Sequence, residues 1–180
     1  LFRMGDFYET FLEDAIITSQ VLGIVLTKRS NGKASDVPLS GFPYHSLDNY
    51  LPKLVNAGYR VAICEQTEDS SKAKGIVKRE VVEVVTPGTL ISEQTIHQKS
   101  NNFLSSIYTE GEQIGYSILD TSTGEFYIGE CINIQLKEKL LKYSPREIVI
   151  PNNLIYSDKD WYVSLRPFVS QIENWFFEYK

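Results

Sequence analysis

Apolar and polar residues alternate along the chain at two spacings, and each spacing predicts one type of element. Apolar residues at helical spacing fall on one face of residues 13–22, and a second such face follows Ser46. Ser46 suits the start of a helix, and Gly23 and Gly58 suit the ends of the two helices. Pro52 lies inside the second helix, where it removes a backbone hydrogen bond, so we expect a kink or an irregular first turn.

Short runs rich in β-branched and apolar residues predict the strands. The runs are 1–4, 24–28, 37–40, 59–66 and 76–85 in the first half, and 103–108, 115–120, 125–131, 147–150 and 162–166 in the second. The run 76–85 alternates poorly, which favours burial on both of its faces. Residues 136–143 and 172–179 favour helices, and the polar stretches 30–36 and 67–75 favour loops. These elements predict an α/β chain.

Composition and charge limit the possible functions. The 180 residues are 42% hydrophobic and 23% charged, which is an ordinary globular composition for one large domain or two small ones. The net charge of −5 argues against a domain that coats nucleic acid through a basic surface, so we expect the chain alone to bind DNA weakly. No apolar run reaches membrane-spanning length and no signal peptide is visible, which favours a cytoplasmic protein without a membrane partner. Because the chain opens within a predicted strand and does not begin with Met, we expect a piece of a longer protein.

The cysteines and histidines do not form a recognisable metal-binding pattern. Cys64 and Cys131 each lie in an apolar, strand-like run, and the two histidines of the chain are far from both in sequence. We therefore expect two buried, reduced thiols and no metal site.

Residues 1–11, LFRMGDFYETF, contain the most unusual combination of side chains. In an extended backbone, Phe7 and Glu9 point to one face and Tyr8 points to the other. A ring beside a carboxylate is an odd pair to bury, but it suits a ligand with a flat apolar surface and a hydrogen-bond donor, such as a nucleobase. From these residues alone the alternative stays open: Phe7 packs in the core, and Glu9 begins a helix, where carboxylates are favoured.

The same segment resembles the mismatch-reading segment of bacterial MutS-type DNA mismatch-recognition proteins. Six further blocks follow in the family's order and at similar spacing. They are Leu26-Thr27-Lys28-Arg29, Gly41-Phe42-Pro43-Tyr44-His45, Asn49-Tyr50-Leu51, Lys53-Leu54-Val55, Val61-Ala62-Ile63-Cys64-Glu65-Gln66 and Val85-Thr86-Pro87-Gly88-Thr89. The second half of the chain is similar to the start of the family's connector domain.

This resemblance implies a fold and a function. It implies an α+β mismatch-recognition domain with a mixed sheet over residues 1–95, followed over 96–180 by part of a ribonuclease H-like α/β connector domain. Phe7 is implied to insert as a wedge beside a mispaired or unpaired base of double-stranded DNA, with Glu9 hydrogen-bonding the base. Phosphates and loss of water both disfavour an ionised carboxylate, so we expect Glu9 to be wholly or partly protonated when bound. The repulsion between its charge and DNA would also penalise intact duplex, where no hydrogen bond to a base compensates.

Ten further residues are candidates for supporting contacts, on the same resemblance. Met4, Gly5 and Asp6 would lie beside the wedge; Arg3, Lys28 and Arg29 could reach phosphates; Gly41, Pro43, Tyr44 and His45 could line the minor groove. The alternative for Lys28 and Arg29 is a solvated strand end, and for His45 a helix cap or a hydrogen bond in the core.

Two other functions are compatible with the residues. Asp6, Glu9, Glu65 and Asp120 are strand-associated acids of the kind that metal-dependent nucleases cluster, although convincing second and third acids are lacking. A protein-interaction module with Phe7 buried is the other alternative. The exposure of Phe7 separates these possibilities.

We expect no catalytic site in this chain, because no phosphate-binding G-x-x-x-x-G-K-[ST] loop is present. The resemblance places the family's ATPase, with its ATP and Mg, in other parts of a full-length protein. It also implies a homodimer and a MutL-type partner.

Overall fold

The computed structural model describes residues 1–31, 34–68, 77–91 and 101–178, and the chain divides into two compact units, Leu1–Thr86 and Pro87–Lys180. Each unit is built on its own sheet. The division expected near residue 95 falls within 92–100, outside the described residues, and stays a prediction. No helix among the described residues is long and apolar enough to cross a membrane.

The first unit is a six-stranded mixed sheet with two helices, in the strand order β3-β4-β2-β1-β5-β6. Its elements are β1 (Phe2–Met4), β2 (Phe7–Phe11), α1 (Leu12–Leu22), β3 (Thr27–Asn31), β4 (Ala34–Pro43), a 3₁₀ turn (Tyr44–Ser46), α2 (Leu47–Asn56), β5 (Val61–Gln66) and β6 (Arg79–Val85). Neighbouring strands are antiparallel except β1 and β5, which are parallel.

The helices pack against this sheet through alternate strand residues, which point toward them. Tyr8 and Phe42 are buried on paired positions of β2 and β4, and the ring of Phe42 lies 4.6 Å from that of Tyr50 in α2. Ala15 of α1 is fully buried. The expected end of α1 at Gly23, with φ 67°, is confirmed.

Several sequence predictions for this unit are wrong in detail. The strand predicted at 24–28 lies at Thr27–Asn31, and the one predicted at 37–40 extends over Ala34–Pro43, so most of the predicted loop 30–36 is strand. Pairing between the two strands stabilises this polar hairpin despite its weak local signal. Strand β6 is not buried on both faces: it lies at the edge of the sheet, where Val81 and Val82 are exposed. Of the two outcomes expected for Pro52, the irregular first turn is confirmed, because a 3₁₀ turn at Tyr44–Ser46 precedes α2, which continues through Pro52.

The second unit has a five-stranded sheet in the order β11-β10-β7-β8-β9. Its elements are β7 (Phe103–Glu110), β8 (Gln113–Asp120), β9 (Phe126–Ile132), α3 (Asn133–Tyr143), β10 (Glu147–Pro151), α4 (Asp160–Leu165), β11 (Phe168–Ile172) and a 3₁₀ turn (Asn174–Phe177). Strands β7 to β9 form an antiparallel meander, and β10 and β11 add parallel strands beside β7. This is the ribonuclease H-like layout that was expected.

The core of the second unit joins the sheet to its helices. Ile118, Ile148 and Ile150 pack with Leu136 of α3 and Trp161 of α4. The strand predicted at 162–166 is wrong, because that segment belongs to α4, whose buried Trp161 anchors it. The helix predicted at 172–179 is confirmed only as the short 3₁₀ turn Asn174–Phe177, because pairing with β10 extends strand β11 through Ile172.

Both cysteines, Cys64 and Cys131, are buried and free, as predicted.

Candidate nucleic-acid interface

The hairpin between β1 and β2 presents Phe7 to solvent. Met4 pairs with Phe7 across a two-residue turn, Gly5-Asp6, in which Gly5 has φ 61°, a left-handed conformation that glycine adopts at little cost. Phe7 is 46% exposed, whereas Tyr8 beside it is 4% exposed. The predicted alternation of these side chains is confirmed, and the alternative of Phe7 packed in the core of this chain is wrong.

Glu9 lies on the same face of β2 as Phe7 and is not at a helix start, because α1 begins at Leu12. It pairs with Gly41 of β4, where a Cβ atom would lie 2.7 Å from the carbonyl oxygen of Tyr8 and 3.2 Å from Cγ of Glu9. Glycine at position 41 therefore leaves the space that the Glu9 side chain occupies.

The carboxylate of Glu9 is only partly satisfied within the chain. Its Oε2 is buried and has no hydrogen-bond partner among the described residues, and the closest charge is Nη1 of Arg29 at 3.5 Å. That distance exceeds the ~2.7–2.9 Å of a charge-assisted hydrogen bond, so the two side chains form a loose ion pair. Oε2 keeps the capacity to accept a hydrogen bond, and a ligand reaches it once the atoms around it move.

Tyr8 fixes the hairpin from the buried side. Its hydroxyl donates a hydrogen bond to Oε1 of Glu65 on β5. Burial, and then this hydrogen bond, raise the pKa of Tyr8 to about 12, so the phenol stays protonated at neutral pH. The buried anchor holds β2 in register, and Phe7 and Glu9 are thereby presented on the opposite face.

Arg3 and Tyr44 brace the hairpin turn. The guanidinium of Arg3 lies 3.5 Å from the centre of the Tyr44 ring and donates to the carbonyl of Gly5. The backbone N–H of Tyr44 donates to the carbonyl of Asp6 at 2.9 Å. Arg3 thus supports the turn within the chain, and its predicted phosphate contact stays a prediction.

An open groove of about 540 Å³ lies beside the hairpin. Its lining contains five of the predicted residues and two that were not predicted: Met4, Gly5, Glu9, Lys28 and Arg29, with Leu39 and Arg79. Arg79 was missed because it lies on β6, far away in sequence, although the basic pair Lys78-Arg79 was a possible signal. Its Nε donates to the carbonyl of Arg3 at 2.8 Å, which holds a third cation at the groove.

Three further predicted residues lie outside the lining of this groove. Pro43 pairs with Phe7 at the end of β4, and Tyr44 and His45 follow in the 3₁₀ turn. His45 is exposed and its ring meets the Tyr44 ring edge-on at 5.8 Å, so it is not a core residue.

The acids considered for a nuclease do not converge. Among the described residues, no group of three or more His, Cys, Asp or Glu side chains could hold a metal ion. Glu65 accepts the Tyr8 hydrogen bond, and Asp120 belongs to the second unit.

Asp120 is fully buried and accepts hydrogen bonds from the Asn102 backbone N–H at 3.1 Å and from Ser122 through its N–H at 2.9 Å and its hydroxyl at 2.7 Å. Burial raises the pKa of Asp120, but the hydrogen bonds together lower it by more than burial raises it. The pKa is therefore lowered from 3.8 to about 2. Asp120 is therefore a structural carboxylate.

Comparison with protein families agrees with the two-unit architecture. The family model described as MutS domain I matches residues 1–94, and the one described as MutS domain II matches residues 102–180. The chain belongs to the MutS family.

Curated MutS relatives match most of the chain. The "DNA mismatch repair protein MutS" of Porphyromonas gingivalis is 49% identical over 98% of this chain and 20% of its own length. Proteins of the same name from Syntrophomonas wolfei and Methanothrix thermoacetophila are 52% and 51% identical over 83% and 84% of this chain, and 18% of each relative is covered. The chain thus spans about a fifth of the length of these MutS relatives.

Proposed function

We propose that this chain is the mismatch-recognition part of a DNA mismatch repair protein, in which Phe7 inserts beside a mispaired or unpaired base. The observation that supports this most directly is the exposure of Phe7, at 46%, at the end of a braced hairpin with Glu9 on the same face. Because its ring is not packed in the core, Phe7 has a free aromatic face on which a base can stack.

The energetics of insertion favour mispaired sites. Wedging a ring between base steps costs a few kcal/mol of unstacking, and stacking on one base returns about 1–3 kcal/mol. A mispair is already weakly held, so its unstacking costs less than that of a matched pair. Phe7 therefore discriminates without a base-specific contact.

Glu9 adds a polar contact to the displaced base. Its partly satisfied carboxylate accepts a hydrogen bond from a base N–H, or donates one to a purine N7 when protonated. The cations at the groove, Lys28, Arg29 and Arg79, offer contacts to backbone phosphates.

Binding of a full-length protein that contains this chain to matched and mismatched duplexes tests the proposal. Phe7→Ala should lower mismatch affinity by about 5- to 150-fold, the equivalent of one lost stacking interaction, and remove the preference for the mismatch. Phe126→Ala is the matched control, because Phe126 is 61% exposed on β9 of the second unit. Equal mismatch affinity of the Phe7 variant and the wild type, with both folded by circular dichroism, would refute the wedge.

The family leads us to extend the proposal to the full-length protein. It would bind ATP and Mg in another domain, act in the cytoplasm as a homodimer, and engage a MutL-type partner. Nucleotide binding by the full-length protein, compared with the 180-residue chain, tests the first of these extensions.

A further inference from the structure

One oxygen of the carboxylate assigned to base contact is buried beside a cation in the free chain. Oε2 of Glu9 has almost no exposed surface, and Nη1 of Arg29 lies 3.5 Å from that same oxygen. A base that is to reach Oε2 must therefore displace the guanidinium or approach after it has moved.

The two partners differ in how firmly they are held. Glu9 is 20% exposed and fixed by the pairing of β2 with β4 against Gly41, whereas Arg29 is 49% exposed on β3. Half-exposed ion pairs contribute little to stability, because water screens them and two long side chains must be ordered. Arg29 is thus the partner that can move.

A DNA phosphate is a stronger partner for Arg29 than Glu9 is. Arginine binds phosphate through two parallel hydrogen bonds, whereas its contact with Glu9 is a single loose one. Lys28 and Arg79 line the same groove, so a phosphate that enters it meets a concentrated positive charge.

We propose that Arg29 exchanges partners when DNA binds, leaving Glu9 for a backbone phosphate and uncovering Oε2 of Glu9 only in the complex. This inference rests on the proposed function. It couples base contact to engagement of the duplex backbone: Glu9 stays neutralised in the free protein and becomes available once a phosphate takes its counter-ion. The uncovered carboxylate then repels a matched duplex and must find a base partner at a mismatch.

A double-mutant cycle on matched duplex at one fixed salt concentration tests the exchange. The four proteins are the full-length wild type, Glu9→Gln, Arg29→Gln and the double variant. Glu9→Gln removes the repulsion in either background, but only with Arg29 present does it also remove the ion pair that binding must break. Its gain in affinity should therefore be about two- to five-fold larger in the wild-type background than in the Arg29→Gln background, the size expected of a half-exposed ion pair.

Two results would overturn the exchange. If Arg29 stayed on Glu9 in the complex, the gain from Glu9→Gln would be larger in the Arg29→Gln background, where the charge is uncompensated. Equal gains in both backgrounds would mean that the two residues do not interact during binding.

The salt dependence of binding gives a second readout. Loss of one phosphate contact should reduce the slope of log affinity against log salt by about 0.9, so Arg29→Gln should flatten it by this amount and Arg29→Lys should restore it. An unchanged slope overturns the exchange.

Lys28→Gln is the control, because Lys28 is the exposed neighbouring cation; it should be additive with Glu9→Gln. Since the cycle uses matched duplex, its failure is distinct from failure of the wedge, which Phe7→Ala measures on mismatches.

Discussion

Two carboxylates, one in each unit, differ in how many hydrogen bonds they accept within the folded chain. Asp120 in the second unit is fully buried and accepts four hydrogen bonds, from Asn101, Asn102 and twice from Ser122. Glu9 in the first unit is 20% exposed, has a loose ion pair with Arg29, and has one buried oxygen without a hydrogen bond among the described residues. Both acids lie on strands, and the sequence offered both as candidates for chemistry.

The difference indicates which of the two carboxylates can still accept a hydrogen bond from a ligand. A buried polar group is costly unless it is hydrogen-bonded, so a satisfied carboxylate such as Asp120 has no capacity left for a ligand. Glu147 behaves similarly in the second unit, where it accepts from Gly88 N–H and the Ser170 hydroxyl. A partly satisfied carboxylate beside an exposed ring keeps its capacity, which points to Glu9.

The largest expected effect on stability is from Asp120→Ala. The variant leaves the buried Asn102 N–H without its acceptor, and should lower the free energy of unfolding of the second unit by about 2–4 kcal/mol. Glu9→Ala should cost less than about 1 kcal/mol, because it breaks only a half-exposed ion pair. Both tryptophans, Trp161 and Trp175, belong to the second unit, so their fluorescence during urea unfolding measures the first effect. Equal losses in the free energy of unfolding for the two variants would contradict the contrast between Asp120 and Glu9.

A smaller effect should appear when Asp120 is titrated rather than removed. Its pKa is lowered from 3.8 to about 2 in the folded chain, so its charge contributes stability above its ordinary pKa that is lost as the pH falls toward about 2. Urea unfolding between these pH values should show a steeper loss for the wild type than for Asp120→Asn. Parallel curves would show that the charge of Asp120 does not contribute.

Gly41→Ala should disturb Glu9 and its strand together. The added Cβ would overlap the Tyr8 carbonyl, so β2 and β4 must shift, at a cost of about 1–3 kcal/mol and with reduced mismatch discrimination. Gly111→Ala is the control, because Gly111 has φ 62°, open space around it, and a place in the second unit. It should lose about 1–2 kcal/mol of stability through backbone strain without a change in discrimination. Loss of discrimination in both variants would indicate a general stability effect.

The smallest expected effects are those of Glu9 on binding. Glu9→Gln keeps a donor for a base acceptor and removes the repulsion of duplex, so it should bind matched DNA about two- to ten-fold more tightly with little loss on mismatches. Glu9→Ala loses the hydrogen bond as well, and should bind mismatched DNA less tightly than the Gln variant. Titration of the full-length wild type and both variants at one salt concentration checks this. Equal affinity of all three proteins for matched DNA would mean that the charge of Glu9 does not contribute to discrimination between matched and mismatched DNA.

The sequence by itself determined the features that depend on local interactions. The two-residue spacing at Phe7, Tyr8 and Glu9 set which side chains share a face, and the glycine at position 23 marked the end of a helix. Over residues 103–151 the predicted order of elements agrees with the ribonuclease H-like sheet that the resemblance implies, because strands and helices have distinct periodicities. The same reasoning assigned the wrong element to 162–166 and too long a helix to 172–179.

Only the tertiary structure decided which charged side chains meet. Strand pairing brings Arg29 to Glu9, and Arg79 to the backbone of Arg3, across separations of 20 and 76 residues that no local pattern encodes. The same long-range pairing made strands of the polar residues 30–31 and 34–36 and placed the valines of β6 at an exposed edge. The tertiary structure also determined that the carboxylate of Asp120 accepts several hydrogen bonds, whereas Oε2 of Glu9 accepts none among the described residues. The donors available to a side chain depend on its neighbours in space.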